Sequence, residues 1–206
     1  DNLMKGLDQM VMGRPSSRKL LDDEKNRVAI HETGHALVAQ HLFDLKRTNT
    51  RPTRMTIIPH SKGSLGMTLI EPIDDKVLTT QGEYESQLAI LFGGRIAEEL
   101  ILGNISDGAS DDLQRIYRLA RQMTLGLGMS TTDQLNIVQV ESTDIRHGTV
   151  WNNMMDTSVQ KHVKDAEKQA RSILETKPLK EIADILLIEQ TISGQRLTNL
   201  LANKMI

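Results

Sequence analysis

Two histidines four residues apart, in His31-Glu32-Thr33-Gly34-His35, constrain this chain more than any other stretch. A helix turns about 100° and rises about 1.5 Å per residue, so two helical residues at that spacing stand about 40° apart in azimuth and about 6 Å apart along the axis. Both imidazoles can then reach one metal ion. Glu32, turned about 100° from His31, can stand beside that ion without binding it. HExxH is the pattern in which two histidines bind zinc and the glutamate serves as general base. The flanks favour a helix: Asp22 is the expected N-cap, and Asp23 and Glu24 suit a helix N-terminus. Val28, Ile30, Leu37, Val38 and Leu42 then carry the helical pattern to about Phe43.

Composition narrows what such a site can be. The chain has no cysteine, which excludes disulfides, thiolate zinc sites and cysteine nucleophiles, so a metal here must use His, Asp or Glu. A net charge of -2 with 25% charged residues gives no basic footprint, and nucleic acid is not an expected partner. The 206 residues suffice for one compact unit. No apolar run approaches the roughly 18 residues of a membrane span, and no signal peptide is recognisable, so a soluble chain is expected. Asp1 leads directly into an amphipathic pattern (Leu3, Met4, Leu7, Met10, Val11), as expected of a piece of a longer protein, with residues 1–20 as a connector.

Gly13 closes that first short helix, and Arg14-Pro15-Ser16-Ser17 reads as a loop. After a polar loop through Thr50-Arg51-Pro52, segments 54–59 and 65–70 read as two strands of a hairpin joined by His60-Ser61-Lys62-Gly63-Ser64. Thr80-Gln81-Gly82-Glu83 has the form of a capping box, opening a helix through Leu88, Ile90, Leu91, Ile96, Leu100 and Ile101. Gly93-Gly94 in its middle costs about 1 kcal/mol per glycine relative to alanine, so close packing against the HExxH helix is expected there. Ser110 is expected to cap a third helix reaching about Gly126. Between 131 and 152 only a short strand at Asn136–Val140 and a loop with His147 and Trp151 suggest themselves. Helices are expected at 154–175, from Pro178 to about Gln190, and from Ser193 to the end. The fold class expected is mainly α-helical with a small β-hairpin or sheet.

A catalytic zinc needs a third protein ligand besides the two histidines. His41 has the spacing of a third histidine in HExxHxxGxxH, but Val38 stands where the turning glycine belongs. On a continuing helix His41 lies about 15 Å along the axis from His31. Glu98 and Glu99 could be brought in by a packed neighbouring helix. Asp111 and Asp112 could act from the start of the third helix, although acidic residues are favoured in any first helical turn. Spacing alone leaves these options open.

Four stretches occur here in the order found in the peptidase domain of FtsH-type AAA proteases. They are His31-Glu32-Thr33-Gly34-His35-Ala36-Leu37-Val38; Thr56-Ile57-Ile58-Pro59 with Leu65-Gly66-Met67-Thr68; Gly93-Gly94-Arg95-Ile96-Ala97-Glu98-Glu99; and Gly108-Ala109-Ser110-Asp111-Asp112-Leu113. The chain resembles that family over nearly its whole length, most strongly from 28 to 130. The resemblance implies a zincin-like active-site helix with a C-terminal helical bundle, in a metalloprotease domain over 21–206 whose part 153–206 is helical. It implies one zinc ion per chain held by His31, His35 and Asp112, with Glu32 as the catalytic base of peptide-bond hydrolysis. Glu98 would then be a supporting carboxylate or, with Asp111, an alternative ligand. It further implies unfolded polypeptide substrates and a hexamer. An ATP-using AAA ATPase module would lie in cis, in a parent anchored to a bacterial inner, mitochondrial or chloroplast membrane. The chain itself has no GxxxxGK[ST] and is not the ATPase. The edge strand, with Leu65, Gly66, Met67 and Thr68, is the expected substrate-binding element, pairing with an extended peptide.

Other classes make different demands. A peptide deformylase would need a cysteine, and a metzincin the glycine that Val38 replaces. A catalytically inactive helical assembly module predicts no zinc and no effect of Glu32→Gln.

Overall fold

In the computed structural model, residues 16, 19–61, 64–131 and 149–202 are described, with the backbone alone for 149–152. The connector helix, the strand at Asn136–Val140 and His147 lie outside the described residues.

Helix α1 (Asp22–Asp44) carries HETGH at its centre, and every residue from Ala29 to Gln40 is buried. A helix covered on all sides belongs in the middle of a fold, and polar groups inside it need partners or a purpose. Its N-cap is Leu21, not Asp22: the Glu24 carboxylate accepts from the Leu21 N–H at 2.8 Å, and Asp22 is free to pair with Lys25.

Strand β1 (Thr50–Thr56) pairs antiparallel with β2 (Met67–Pro72), matching Met55 to Thr68 and Thr56 to Met67. Both strands are displaced from their expected bounds. Pro52, which argues against a strand by lacking an N–H, lies inside β1 next to a register shift between Pro52 and Arg54. A third strand absent from the sequence-based expectation, β3 (Thr191–Ser193), pairs with Arg54–Thr56, giving the order β2-β1-β3. Among the described residues strand β2 is thus an edge.

Helix α2 (Gln81–Leu102) begins as expected, with the Glu83 carboxylate accepting from the Thr80 N–H at 2.8 Å, and ends at Gly103 in the left-handed conformation. It crosses α1 where Gly34 meets Gly93. A Cβ on Gly34 would lie 2.2 Å from the Gly93 carbonyl oxygen, and one on Gly93 would lie 2.7 Å from that of Gly34. A side chain at either glycine would collide with the other helix, so the two backbones touch there.

Helix α3 (Ser110–Arg121) follows a 3-10 turn at Asp107–Ala109 and runs into a π-helical turn at Gln122–Gly126, so the regular helix stops five residues short of the expected end. Ser110 is not its cap. The capping hydroxyl is that of Ser106, which accepts from the Gly108 N–H ahead of the 3-10 turn. Helix α4 (Thr149–Leu174) starts five residues before the expected Met154 and takes in Trp151. Helices α5 (Leu179–Glu189) and α6 (Gly194–Leu201) flank β3. Buried Ser158 on α4 accepts from the Thr131 N–H at 3.0 Å, and His162 donates to the Met129 carbonyl at 2.7 Å, anchoring the chain after the π turn. One continuous core joins α1 and α2 to residues of α4, α5 and α6, including Val159, Ala170, Leu186 and Leu197. Among the described residues no helix is long and apolar enough to cross a membrane.

Candidate metal centre

Because His31 and His35 share one face of α1, their rings approach with the Nε2 atoms 3.1 Å apart. Asp112, in the first turn of α3, brings its Oδ2 to 3.3 Å from His31 Nε2 and 3.2 Å from His35 Nε2. These three form the cluster able to hold a metal among the described residues.

The outer nitrogens define what the inner ones can do. His35 Nδ1 lies 2.7 Å from the carbonyl oxygen of Ile90, which can only accept, so Nδ1 carries the proton and a neutral ring turns its Nε2 lone pair inward. His31 Nδ1 lies 2.8 Å from Glu98 Oε1, with the same consequence. Two lone pairs and a carboxylate oxygen therefore face one another at about 3 Å, an arrangement that calls for a positive charge between them. In the metal-free chain a proton on His31 Nε2 supplies that charge: burial works against the charged ring, but hydrogen bonds to Asp112 and Glu98 and the nearby Glu32 charge outweigh it and raise its pKa to about 10. Burial likewise opposes ionisation of Asp112, and its close contacts with His31 and His35 overcome it, holding the carboxyl well below the usual range. The donor set fits zinc: arms of about 2.0 Å in tetrahedral directions put neighbouring ligand atoms about 3.3 Å apart.

Glu98 is 1% exposed and fully engaged. Besides His31, its oxygens accept from Arg27 at 2.7 Å and from the Ser106 N–H and hydroxyl at 3.0 and 3.1 Å. Burial alone would raise its pKa; these partners, His31 first, bring it down to about 2. Gly94, one turn before Glu98, leaves room for the imidazole, since a Cβ there would lie 2.3 Å from His31 Nε2. Glu32 is buried, and the Thr68 hydroxyl donates to its Oε2 at 2.8 Å.

Of the other candidates, Glu99 is exposed and paired with Arg171 at 2.8 Å, Asp111 is exposed and outside the cluster, and His41 sits half-buried away from it. Glu98 grips the back of His31 instead of joining the three. Of the expected substrate strand, Met67 and Thr68 lie in β2, while Leu65 and Gly66 precede it. The sequence placed Gly94 at the approach to the HExxH helix without assigning it to the His31 ring, and it did not bring out Arg27, Ser106 or the inward turn of Thr68. A signal existed for two of them. Gly94 and Glu98 are four apart and share a helix face, with Glu99 turned about 100° away, and Gly66 and Thr68 alternate onto one side of a strand.

Comparison with known proteins bears on this geometry. The model of Peptidase family M41 matches residues 18–200. A protein named ATP-dependent zinc metalloprotease FtsH from Methylococcus capsulatus is 35% identical, covering 92% of this chain and 31% of its own length. A protein of the same name from Lancefieldella parvula is 31% identical over 98% of the chain and 32% of its own length. One from Pirellula staleyi is 41% identical over 64% of the chain and 18% of its own length. The chain thus spans about a third or less of these curated relatives. With a family model matched over residues 18–200 and relatives 35% and 31% identical over 92% and 98% of the chain, the chain belongs to peptidase family M41 and corresponds to the peptidase domain of FtsH-type proteases.

Proposed function

We propose that this chain is a zinc-dependent endopeptidase domain in which His31, His35 and Asp112 hold one zinc ion and Glu32 is the general base. The observation that carries this is the convergence of three ligand atoms 3.1–3.3 Å apart, with both histidine Nδ1 atoms tied from behind. Zinc, when bound, supplies Lewis-acid chemistry, making water a better nucleophile and polarising the scissile carbonyl. The remaining work falls to the chain. Glu98 and the Ile90 carbonyl keep the two imidazoles in the required tautomer and orientation. Glu32, with Oε2 tied to Thr68, takes the proton of the attacking water on its carboxylate and returns it to the leaving amine. Strand β2 offers its outer edge to an extended polypeptide, so affinity comes from backbone hydrogen bonds with little sequence preference, as suits unfolded or damaged proteins.

The relatives' length supports a parent in which residues 1–20 connect an AAA ATPase module to a metalloprotease domain at 21–206, with 153–206 its helical C-terminal part. That parent would be membrane-anchored and hexameric, with ATP used only in the ATPase module. The test is cleavage of an unfolded protein by the zinc-loaded chain and by Glu32→Gln. Cleavage by the unaltered chain, with loss in a Glu32→Gln variant that keeps its zinc, is expected. Equal cleavage by both removes Glu32 from its role, and a chain that neither binds zinc nor cleaves is a helical assembly module instead.

A further inference from the structure

Glu32 stands on α1, but the groups that limit its side chain come from the sheet. Gly66 lies so close that a Cβ there would meet the Glu32 Cγ at 3.0 Å, as well as Val28 Cγ1 at 2.5 Å and the Thr56 carbonyl oxygen at 2.9 Å. The missing side chain lets the residue just before β2 rest on the stem of the Glu32 side chain. Two residues on, and on the same face, the Thr68 hydroxyl lies 2.8 Å from Glu32 Oε2 and 2.9 Å from the Glu32 backbone carbonyl. Both of those atoms accept, so the single hydroxyl proton serves them, and the charged carboxylate is the stronger acceptor. Thr68 is also paired across the ladder with Met55, which is fully buried, so its backbone is fixed from the core side.

We infer that Thr68 is a positioning residue for Glu32, so that the strand offered to substrate is also the strand that sets the orientation of the general base. This rests on the proposed peptidase function and extends it. The Thr68 side chain is turned away from substrate recognition and towards the carboxylate, while its backbone remains part of the edge strand. A substrate pairing along the outer edge of β2 orders the strand, and through one hydroxyl it orders the Glu32 carboxylate as well. Binding and proton transfer are thereby linked over a single hydrogen bond. A long, mobile carboxylate side chain gains a defined position without contributing to metal binding.

Two variants separate hydroxyl from shape: Thr68→Val keeps the bulk and removes the donor, and Thr68→Ser keeps the donor and removes the methyl. With the zinc-loaded chain and an internally quenched apolar peptide, Thr68→Val is expected to lower kcat by about 10- to 100-fold, the scale of loss from misplacing a catalytic group by about 1 Å. KM and zinc content stay unchanged, and Thr68→Ser recovers most of kcat. A readout without catalysis uses the chelator-treated chain in denaturant: Thr68→Val lowers the unfolding midpoint in the parent, and clearly less in a Glu32→Ala background, because the two groups share a bond. Unchanged kcat in Thr68→Val, a rise in KM alone, or failure of Thr68→Ser to recover activity overturns the inference. If the parent itself cleaves nothing, the peptidase function fails, and the denaturant cycle still decides the contact: additive midpoints overturn it.

Discussion

Gly94→Ala should separate metal binding from folding. A Cβ at position 94 would sit 2.3 Å from His31 Nε2 and 2.5 Å from both Cδ2 and Cε1, whereas ordinary contact begins near 3.4 Å, so the ring must retreat by roughly 1 Å. It cannot do so cheaply, because Glu98 holds Nδ1 at 2.8 Å from the other side. A ligand displaced or detached from its supporting carboxylate costs about 10- to 100-fold in metal affinity, or about 1.4–2.8 kcal/mol. The same substitution gains about 1 kcal/mol in helix propensity at an interior position, which offsets the local crowding in the metal-free chain. The expected outcome is a folded variant whose metal-free melting temperature stays within a few degrees of the parent and whose zinc affinity, measured by chelator competition, falls at least tenfold. Unchanged zinc affinity would refute the reasoning, as would a variant that fails to fold.

Gly34→Ala makes the contrast: its Cβ meets the Gly93 backbone oxygen at 2.2 Å, neither helix can yield locally, and overpacking of about 1–3 kcal/mol should lower Tm by roughly 2–12 °C with or without metal. A scanning calorimetry trace matching the parent would contradict the close crossing. Thr33 is fully buried and its hydroxyl has no partner among the described residues, so Thr33→Val, which keeps the shape, should stabilise by about 1 kcal/mol in thermal unfolding; a loss of that size would mean the hydroxyl is in use. Lys76 and Thr80 hold the Glu83 carboxyl down at about 2 from its ordinary 4.5, so Glu83 stabilises the fold above pH 4.5 and this contribution disappears as pH falls from there through about 2. Glu83→Gln should cost about 1 kcal/mol at pH 7, the usual worth of a helix cap, and progressively less as pH falls from 4.5 towards 2, followed by denaturant titration across that window. A pH-independent difference would contradict it.

Short-range features were legible in the sequence because their geometry is local. Four-residue spacing places His31 and His35 on one face, Thr80-x-x-Glu83 makes its capping contact, and Gly93-Gly94 marks a close helix approach. Features resting on distant partners were not. Asp111 and Asp112 look alike in a first helical turn, and only the docking of α3 beside α1 leaves one exposed and the other against two imidazoles. Glu98 and Glu99 divide in the same way, one towards His31 and one towards Arg171 on α4. Strand β3 has three residues and no pattern of its own; it exists because Arg54–Thr56 offers it a partner. Pro52 concealed the start of β1, since a proline ordinarily argues against a strand and here stands beside a register shift.

The central claim, that His31, His35 and Asp112 together hold a zinc ion, is tested most directly by the zinc content of the purified chain and of two neighbouring variants. The expected result is about one zinc per chain in the parent and in Asp111→Ala, and none in Asp112→Ala. Zinc retained in Asp112→Ala, or lost instead in Asp111→Ala, would contradict the account.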